Sequence, residues 1–368
     1  MITLRELLEL MVKRNASDLH ITVGTPPILR IDGKLTKTEY EDLTPELTKK
    51  LAYSIMNERQ RLKFEESSEL DLSFGIEQLS RFRCNMFMQR GNVAIALRQI
   101  PYKVKGFEEL GLPEVIPSLA ELPRGLVLVT GPTGSGKTTT LAALIDKINR
   151  ESYLHIITVE DPIEYLHRHK NCIVNQRELH SDTKSFANSL KFALRQDPDV
   201  VMIGEMRDLE TMEAALTISE TGHLAFATLH TNSTAETINR IVDVFPTNQQ
   251  EQVRIQLSFV IQGIVCQQLI PTIGGGRSLA LEILIATPAV RAIIRDDKIH
   301  QIYSLIQAGQ KFGMKTMNQS LVELYMKKKV TYNDALARST NIHEFEEMVG
   351  QLGARSETSR IYAGQTER

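Results

Sequence analysis

Eight consecutive residues, Gly131-Pro132-Thr133-Gly134-Ser135-Gly136-Lys137-Thr138, carry the spacing G-x-x-x-x-G-K-[ST]. That spacing serves phosphate capture. The backbone N–H groups of a Gly-rich turn point inward, and the helix that follows brings the positive end of its dipole. Lys137 adds a formal charge for the β- and γ-phosphates, and the hydroxyl of Thr138 is a ligand for Mg²⁺. The hydroxyls of Thr133 and Ser135 are expected to add phosphate contacts, and Thr139 extends the candidate nucleotide site into the helix. The context is also right: the apolar run Leu126-Val127-Leu128-Val129 precedes the loop, and a helix-like Thr139-Thr140-Leu141-Ala142-Ala143-Leu144-Ile145 follows. The chain is expected to bind a nucleoside triphosphate.

Hydrolysis also needs carboxylates, and two clusters qualify. The strand His155–Val159 ends in Glu160-Asp161-Pro162-Ile163-Glu164, and the strand Val200–Ile203 ends in Gly204-Glu205. In an open parallel sheet the C-terminal strand ends face the ligand crevice, so both sets would meet the phosphates. Glu205 stands where a magnesium-side aspartate usually stands, one methylene longer, which suits holding the ion through a water. Asp199 lies at the opposite end of that strand and is set aside. Glu160 and Glu164 are both placed to act as general base, and position alone does not separate them. His223 and His230 flank the strand 224–229; His230 emerges at its C-terminal end, where it can report the γ-phosphate by hydrogen bonding. The sequence offers no third convergent ligand that would make these histidines a metal site.

The elements that position these groups follow from periodicity. Residues 2–13 place Leu4, Leu7, Leu8, Met11 and Val12 on one helical face, and strands are expected at 18–23 and 28–31, the second turning at Asp32-Gly33. A helix near 45–62 and strands near 69–75, 80–88 and 92–98 complete a small α+β unit, residues 1–99, with a mostly antiparallel sheet. Prolines 101, 113 and 117 with Gly106 and Gly111 mark 100–117 as an interdomain linker. From 118 to 287 strand and helix alternate: 126–130, 137–149, 154–159, 184–196, 199–203, 208–220, 224–229. Such alternation implies α/β architecture with a parallel sheet and right-handed crossovers, the RecA-like P-loop arrangement. Residues 288–352 read as amphipathic helices at 289–295, 298–308 and 317–328, and the polar tail 353–368 as disordered.

With 368 residues the chain has room for two or three domains, and 42% hydrophobic and 24% charged residues are ordinary for a soluble globular protein. No apolar run approaches a membrane span and no secretory signal opens the sequence. A net charge of −2 argues against a general nucleic-acid binder. Cys84, Cys172 and Cys266 lie far apart without a CxxC pair. That pattern excludes a disulfide framework and a cysteine zinc site, fits a reducing cytoplasm, and leaves the thiols as small buried apolar groups.

Four segments together resemble one family. GPTGSGKT at 131–138, TVEDPIEY at 158–165, VVMIGEMRD at 200–208 and GHLAFATLHTN at 222–232 are similar to the Walker A, Asp box, Walker B and His box of the type II/type IV secretion ATPases. Order and spacing fit, and SDLHITVG at 17–24 extends the likeness, which covers about residues 1–350. Within the family the chain looks most like the branch that retracts type IV pili. The resemblance implies a PAS-like α+β N-terminal domain, a RecA-like P-loop ATPase domain with a helical C-terminal extension, and ATP with Mg²⁺ bound between the two domains. It implies a homohexamer that works at the cytoplasmic face of the inner membrane on a platform protein of the pilus machinery. It assigns the general base to Glu164, the magnesium-side acid to Glu205, and a γ-phosphate or interface role to His223 and His230. It also implies that N-terminal arginines reach the nucleotide phosphates, and Ser80-Arg81-Phe82-Arg83-Cys84 matches that segment; on a strand Arg81 and Arg83 share a face.

Assembly and secretion members carry a tetracysteine zinc insert after the His box and an extra N-terminal domain. This chain has only Cys266 after His230, which favours retraction. A retraction-linked motif, AIRNLIRE, corresponds to 289–296 with departures that include Val290, Ala292 and Asp296. Its plain reading is an amphipathic helix that packs Val290, Ile293 and Ile294 and leaves Arg291 and Arg295 in solvent. The expected function is an ATP-hydrolysing motor for pilus retraction. The alternatives are an accessory retraction or assembly ATPase of the same family, or a nucleotide-gated scaffold that does not hydrolyse usefully.

Overall fold

A computed structural model describes residues 2–351 except 32, 78, 101 and 102. The expected turn residue Asp32 and the tail 353–368 lie outside the described residues. The chain divides into two compact units, one of residues 1–103 with 163–166, the other of 104–162 with the chain from 167 onward.

The first unit is a six-stranded sheet, β1 (Asp18–Ile21), β2 (Ile28–Ile31), β3 (Lys34–Lys37), β4 (Glu69–Ile76), β5 (Ser80–Gln89) and β6 (Asn92–Ile100), in the order β3-β2-β1-β6-β5-β4. Every pair is antiparallel. Period-two alternation on β5 buries Ser80, Phe82, Cys84 and Met86 and turns Arg81 and Arg83 to the other face. The helix Leu4–Lys13 begins in a capping box between Thr3 and Glu6 and buries Leu4, Leu7, Leu8 and Met11. The single helix expected over 45–62 is two, Pro45–Tyr53 and Glu58–Ser67. Asn57 caps the second with its own box to Gln60, so the chain restarts there while Met56 is buried in the core. Strand β3 escapes periodicity because Lys34-Leu35-Thr36-Lys37 is exposed throughout and carries no apolar alternation.

The second unit holds seven strands: β7 (Gly125–Thr130), β8 (His155–Glu160), β9 (Ile173–Glu178), β10 (Val200–Ile203), β11 (Leu224–Leu229), β12 (Ile261–Pro271) and β13 (Arg277–Ile285). Their order is β13-β12-β7-β11-β10-β8-β9. All contacts from β12 through β9 are parallel, and β13 closes the other edge as an antiparallel hairpin with β12. Strands β7, β10 and β11 are buried along their whole length, which is why they read as continuous apolar runs. Helices pack on the sheet, Lys137–Glu151 and Leu209–Glu220 among them. The hairpin and β9 are additions to the expected elements: their polar residues, Gln267, Gln268, Asn175 and Gln176, break the hydrophobic runs.

Residues 104–117, read as a linker, fold onto this unit. The short helices Phe107–Leu110 and Val115–Ser118 bring Leu112, Ile116 and Leu119 into one cluster with Val127, Leu141 and Leu144. Toward the C terminus, helix Pro288–Arg295 buries Val290 and Ile294 as expected, but Arg291 is not in solvent. Its guanidinium donates to Ser258 O (2.8 Å), Phe259 O (2.7 Å) and Gln262 Oε1 (3.0 Å). The two carbonyls are among those that helix Gln250–Val260 leaves without intrahelical partners at its C-terminal end, so Arg291 is a tertiary cap for that helix. The three cysteines are buried and unpaired, and burial pushes the Cys84 thiol up to about 12.

The loop between β8 and β9 contains His167, whose Nδ1 is buried without a hydrogen-bond partner. Burial pushes its pKa down to about 4, against a smaller opposing influence of Asp146. In the unfolded chain a histidine titrates near 6.5, so between those two values the unfolded state binds the extra proton. Stability from this group is therefore complete above about pH 6.5 and is lost as pH falls toward 4. Urea denaturation at pH 7 and pH 4.5 should show wild type losing on the order of 3 kcal/mol more than His167→Phe. Equal losses in the two proteins would refute that assignment.

Candidate active site

Strand β7 ends at Thr130 and the chain enters the loop 131–136 at Gly131, whose φ is +136°. A Cβ there would sit 2.3 Å from Gln267 O on the adjoining β12 and 2.7 Å from Ser135 Oγ, so only glycine lets the loop fold back over that strand. The loop ends at Gly136, with φ +93°, which is the N-cap of helix Lys137–Glu151 and offers no side-chain hydrogen bond to it. The first-turn N–H groups of a fifteen-residue helix are thus left to the loop's concave side, where an anion is the fitting partner.

Two side chains in this loop support the same reading. Ser135 is 3% exposed, and its Oγ has no hydrogen-bond partner. A buried orphan hydroxyl costs stability unless something fills the role, so its position suits a phosphate oxygen. Lys137 is also buried, and its Nζ lies against Gly131 O (2.7 Å) and Pro132 O (3.1 Å), held over the turn. Beneath the loop, Gln267 Nε2 donates to Thr140 Oγ1 (2.9 Å), joining β12 to the first turn of the helix.

The neighbouring strands end on the same edge because they are parallel and in register. Leu229 of β11 pairs with Thr130, Ala227 with Ile203 of β10, and Val159 of β8 with Ile203. His230, Glu205 and Glu160 therefore all come to the sheet edge that Gly131 leaves, each within two residues of a paired strand position. Beyond the strand ends the ladder continues: Gly204 N donates to Val159 O (2.7 Å) and Met206 N to Thr228 O (3.0 Å), which fixes the backbone around Glu205. Gly204 itself leaves only 3.0 Å between a Cβ and Val159 O.

Glu205 is the electrostatic centre of this edge. Its Oε2 lies 2.8 Å from Arg207 Nη2 and its Oε1 3.2 Å from His230 Nε2. Burial resists ionisation of Glu205, but Arg207 and His230 outweigh it and hold the carboxyl below the usual range. Sequence reasoning passes over Arg207, although its place two residues after Glu205 is in plain view. His223 is at the other end of β11: its Nδ1 meets Ile218 O and Thr221 Oγ1, both at 3.1 Å, where the preceding helix ends. The two histidines thus stand at opposite ends of a six-residue strand, and within one chain His230 is the one at the phosphate-loop edge.

The two candidate bases are now distinguishable by environment. Glu160 is 4% exposed, and its Oε1 accepts from Thr158 Oγ1 (2.6 Å) and Gln176 Nε2 (3.1 Å). Glu164 is exposed, in the segment 163–166 that groups with the first unit. In that unit Arg81 and Arg83 lie on one face of β5; Arg81 Nη2 donates to Ser73 Oγ (2.8 Å) and Arg83 is exposed. Among the described residues no three His, Cys, Asp or Glu side chains form a metal cage. No helix among the described residues is long and apolar enough to cross a membrane.

A model of the type II/IV secretion system protein family matches residues 1–276. The chain belongs to that family. It is 50% identical over 330 residues to the type IV pilus retractation ATPase PilT of Pseudomonas aeruginosa, across 90% of this chain and 96% of that protein. To the type IV pilus ATPase PilU of the same organism it is 42% identical over 357 residues, 97% of this chain and 93% of the other. Among solved structures, the crystal structure of the pilus retraction motor PilT with bound ADP matches with a TM-score of 0.89 and 53% identity, covering 94% of this chain and all of that one.

Because Ser135 Oγ has no partner in the fold, its removal should separate stability from binding. Ser135→Ala is expected to keep or slightly raise the melting temperature, a change within about 1 kcal/mol, while ADP affinity measured by fluorescence titration falls several-fold. A destabilised variant with unaltered affinity would show that the hydroxyl serves the fold instead.

Proposed function

We propose that this chain is an ATP-hydrolysing motor that powers retraction of type IV pili, working as a homohexamer. The observation that carries the reading is the convergence, on one sheet edge, of the Gly-rich loop, buried Lys137, the orphan Ser135 hydroxyl and the Glu205–His230 contact. The likeness to PilT supplies the direction of the work. In this reading the second unit is a RecA-like ATPase domain and the first a PAS-like domain, with residues 288–352 as a helical extension. The subunits act at the cytoplasmic face of the inner membrane on a platform protein of the pilus machinery.

The reaction is ATP + H₂O → ADP + phosphate. Gly131, Pro132, Thr133, Gly134, Ser135 and Gly136 form the cradle, in which every residue but Pro132 brings a backbone N–H for the phosphates, and Lys137 neutralises charge that builds on the β- and γ-oxygens. Thr138 and Glu205 would hold Mg²⁺, which supplies charge neutralisation at the phosphate oxygens. Glu164 takes the proton of the attacking water; its exposure and the hydrogen bonds that occupy Glu160 support this choice. His230, joined to Glu205, reports loss of the γ-phosphate by changing its hydrogen bond. Arg81 and Arg83 reach the phosphates from the first unit, so that nucleotide makes different contacts in the closed and open states, the requirement for driving motion by hydrolysis.

Steady phosphate release by the purified protein should fall by on the order of 10²-fold or more in Glu164→Gln while nucleotide binding persists. Arg81→Ala should likewise retain binding and depress turnover, and unchanged turnover would remove the arginine from the mechanism. In a piliated host lacking its own copy, the wild-type chain should restore fibre shortening and Glu164→Gln should not. Shortening supported equally by both would refute the motor.

A further inference from the structure

The loop that carries Glu164 runs from Asp161 to Leu166, between the end of β8 and His167. One side chain from the neighbouring strand β9 closes both of its ends. Gln176 Nε2 donates to Glu160 Oε1 (3.1 Å), the last residue before the loop, and Gln176 Oε1 accepts from His167 N (2.8 Å), the first residue after it. A primary amide of this length donates at one end and accepts at the other at once, without needing a particular protonation state. Register sets the amide between the two ends, since Gln176 is paired with Thr158, whose hydroxyl also donates to Glu160 Oε1 at 2.6 Å. Glu160 is thereby consumed as the acceptor of two local hydrogen bonds at 4% exposure.

We infer that Gln176 is a positioning residue for ATP hydrolysis, a clasp that holds the two ends of the 161–166 loop together and so fixes where Glu164 presents its carboxylate. This rests on the reading of Glu164 as the group that takes the proton. A loop with both ends pinned loses less entropy in bringing its tip to one place, and small displacements of a general base are costly in rate. The two bonds of the clasp join the loop's ends through β9, so their loss is expected to act on the chemical step more than on nucleotide binding. Glu178 is paired with Glu160 across β8 and β9, and its Oε1 accepts from Ser181 Oγ (3.1 Å).

The test compares Gln176→Leu, Gln176→Glu, Glu164→Gln and the double variant Gln176→Leu/Glu164→Gln by steady-state phosphate release and ADP titration. Gln176→Leu should lower kcat by about 10-fold or more with KM for ATP and ADP affinity nearly unchanged. Added to Glu164→Gln it should lower kcat no further, because both changes remove the same contribution. Gln176→Glu keeps the length and the acceptor for His167 N but sets a carboxylate beside Glu160, where a shared proton is needed to restore the donor. Its kcat should therefore recover toward wild type as pH falls and collapse as pH rises, beyond any slope seen in wild type. That variant also answers if Gln176→Leu does not fold. Glu164→Gln inactive beside a Gln176→Leu kcat equal to wild type, or a Gln176→Glu profile parallel to wild type, overturns the clasp alone. A fully active Glu164→Gln overturns the reading of Glu164, and with it the role given to the clasp.

Discussion

Parallel pairing of β7, β11, β10 and β8 is the constraint from which the rest of the site follows. Residues on parallel strands advance together, so four segments separated by up to about a hundred residues deliver their next residue to one edge. The backbone hydrogen bonds Gly204 N to Val159 O and Met206 N to Thr228 O carry that order past the strand ends. Little is then asked of the loops. The phosphate loop needs a glycine where it crosses β12, and a helix start without a side-chain cap. Chemistry on such an edge is set by a rigid sheet, which holds catalytic groups to within the narrow tolerances that reaction demands.

Polar groups buried near this edge fall into two kinds. Most are satisfied within the fold and act as its struts. Glu282 accepts from Thr234 N (2.8 Å) and Thr234 Oγ1 (2.9 Å), holding the start of the helix that follows His230, and burial keeps its pKa raised in spite of those bonds. Glu160 is similarly absorbed by Thr158 and Gln176. The second kind is left open, and Ser135 is the clear instance. Two of these carboxylates brace local structure, whereas Glu164, for which we propose the proton transfer, is exposed.

Charge is also used for assembly within the second unit. Arg291 belongs to a segment that resembles a retraction-linked motif, yet its guanidinium spans three acceptors at the end of helix Gln250–Val260. Its long side chain binds two helices across the joint with β12, and Gln262, one of its acceptors, reaches on to Arg124 O (3.1 Å). A lysine could not form the same fork of bonds. Arg295 fits the solvent-facing reading, paired with the adjacent Asp296 on an exposed surface.

The residues themselves determined the nucleotide site and the core of the second unit. G-x-x-x-x-G-K-T between an apolar run and a helix pattern has one physical use, and fully buried strands such as β7, β10 and β11 must be apolar throughout. Capping residues are equally local, although the Asn57 cap is hidden inside a continuous helical pattern that reads as one helix where there are two. Tertiary structure alone decided what depends on partners distant in sequence. It decided that β9 pairs with β8 and turns Gln176 onto Glu160, that β12 passes under Gly131, and that Arg291 meets the end of a helix about thirty residues earlier. It also sent His223 and His230 to opposite ends of one strand, a separation that strand geometry implies once the strand's bounds are known. Local patterns are written by covalent neighbours and solvent, so the chain spells them out. Hydrogen bonds between side chains of different strands exist only once the register is set, and the register belongs to the whole sheet.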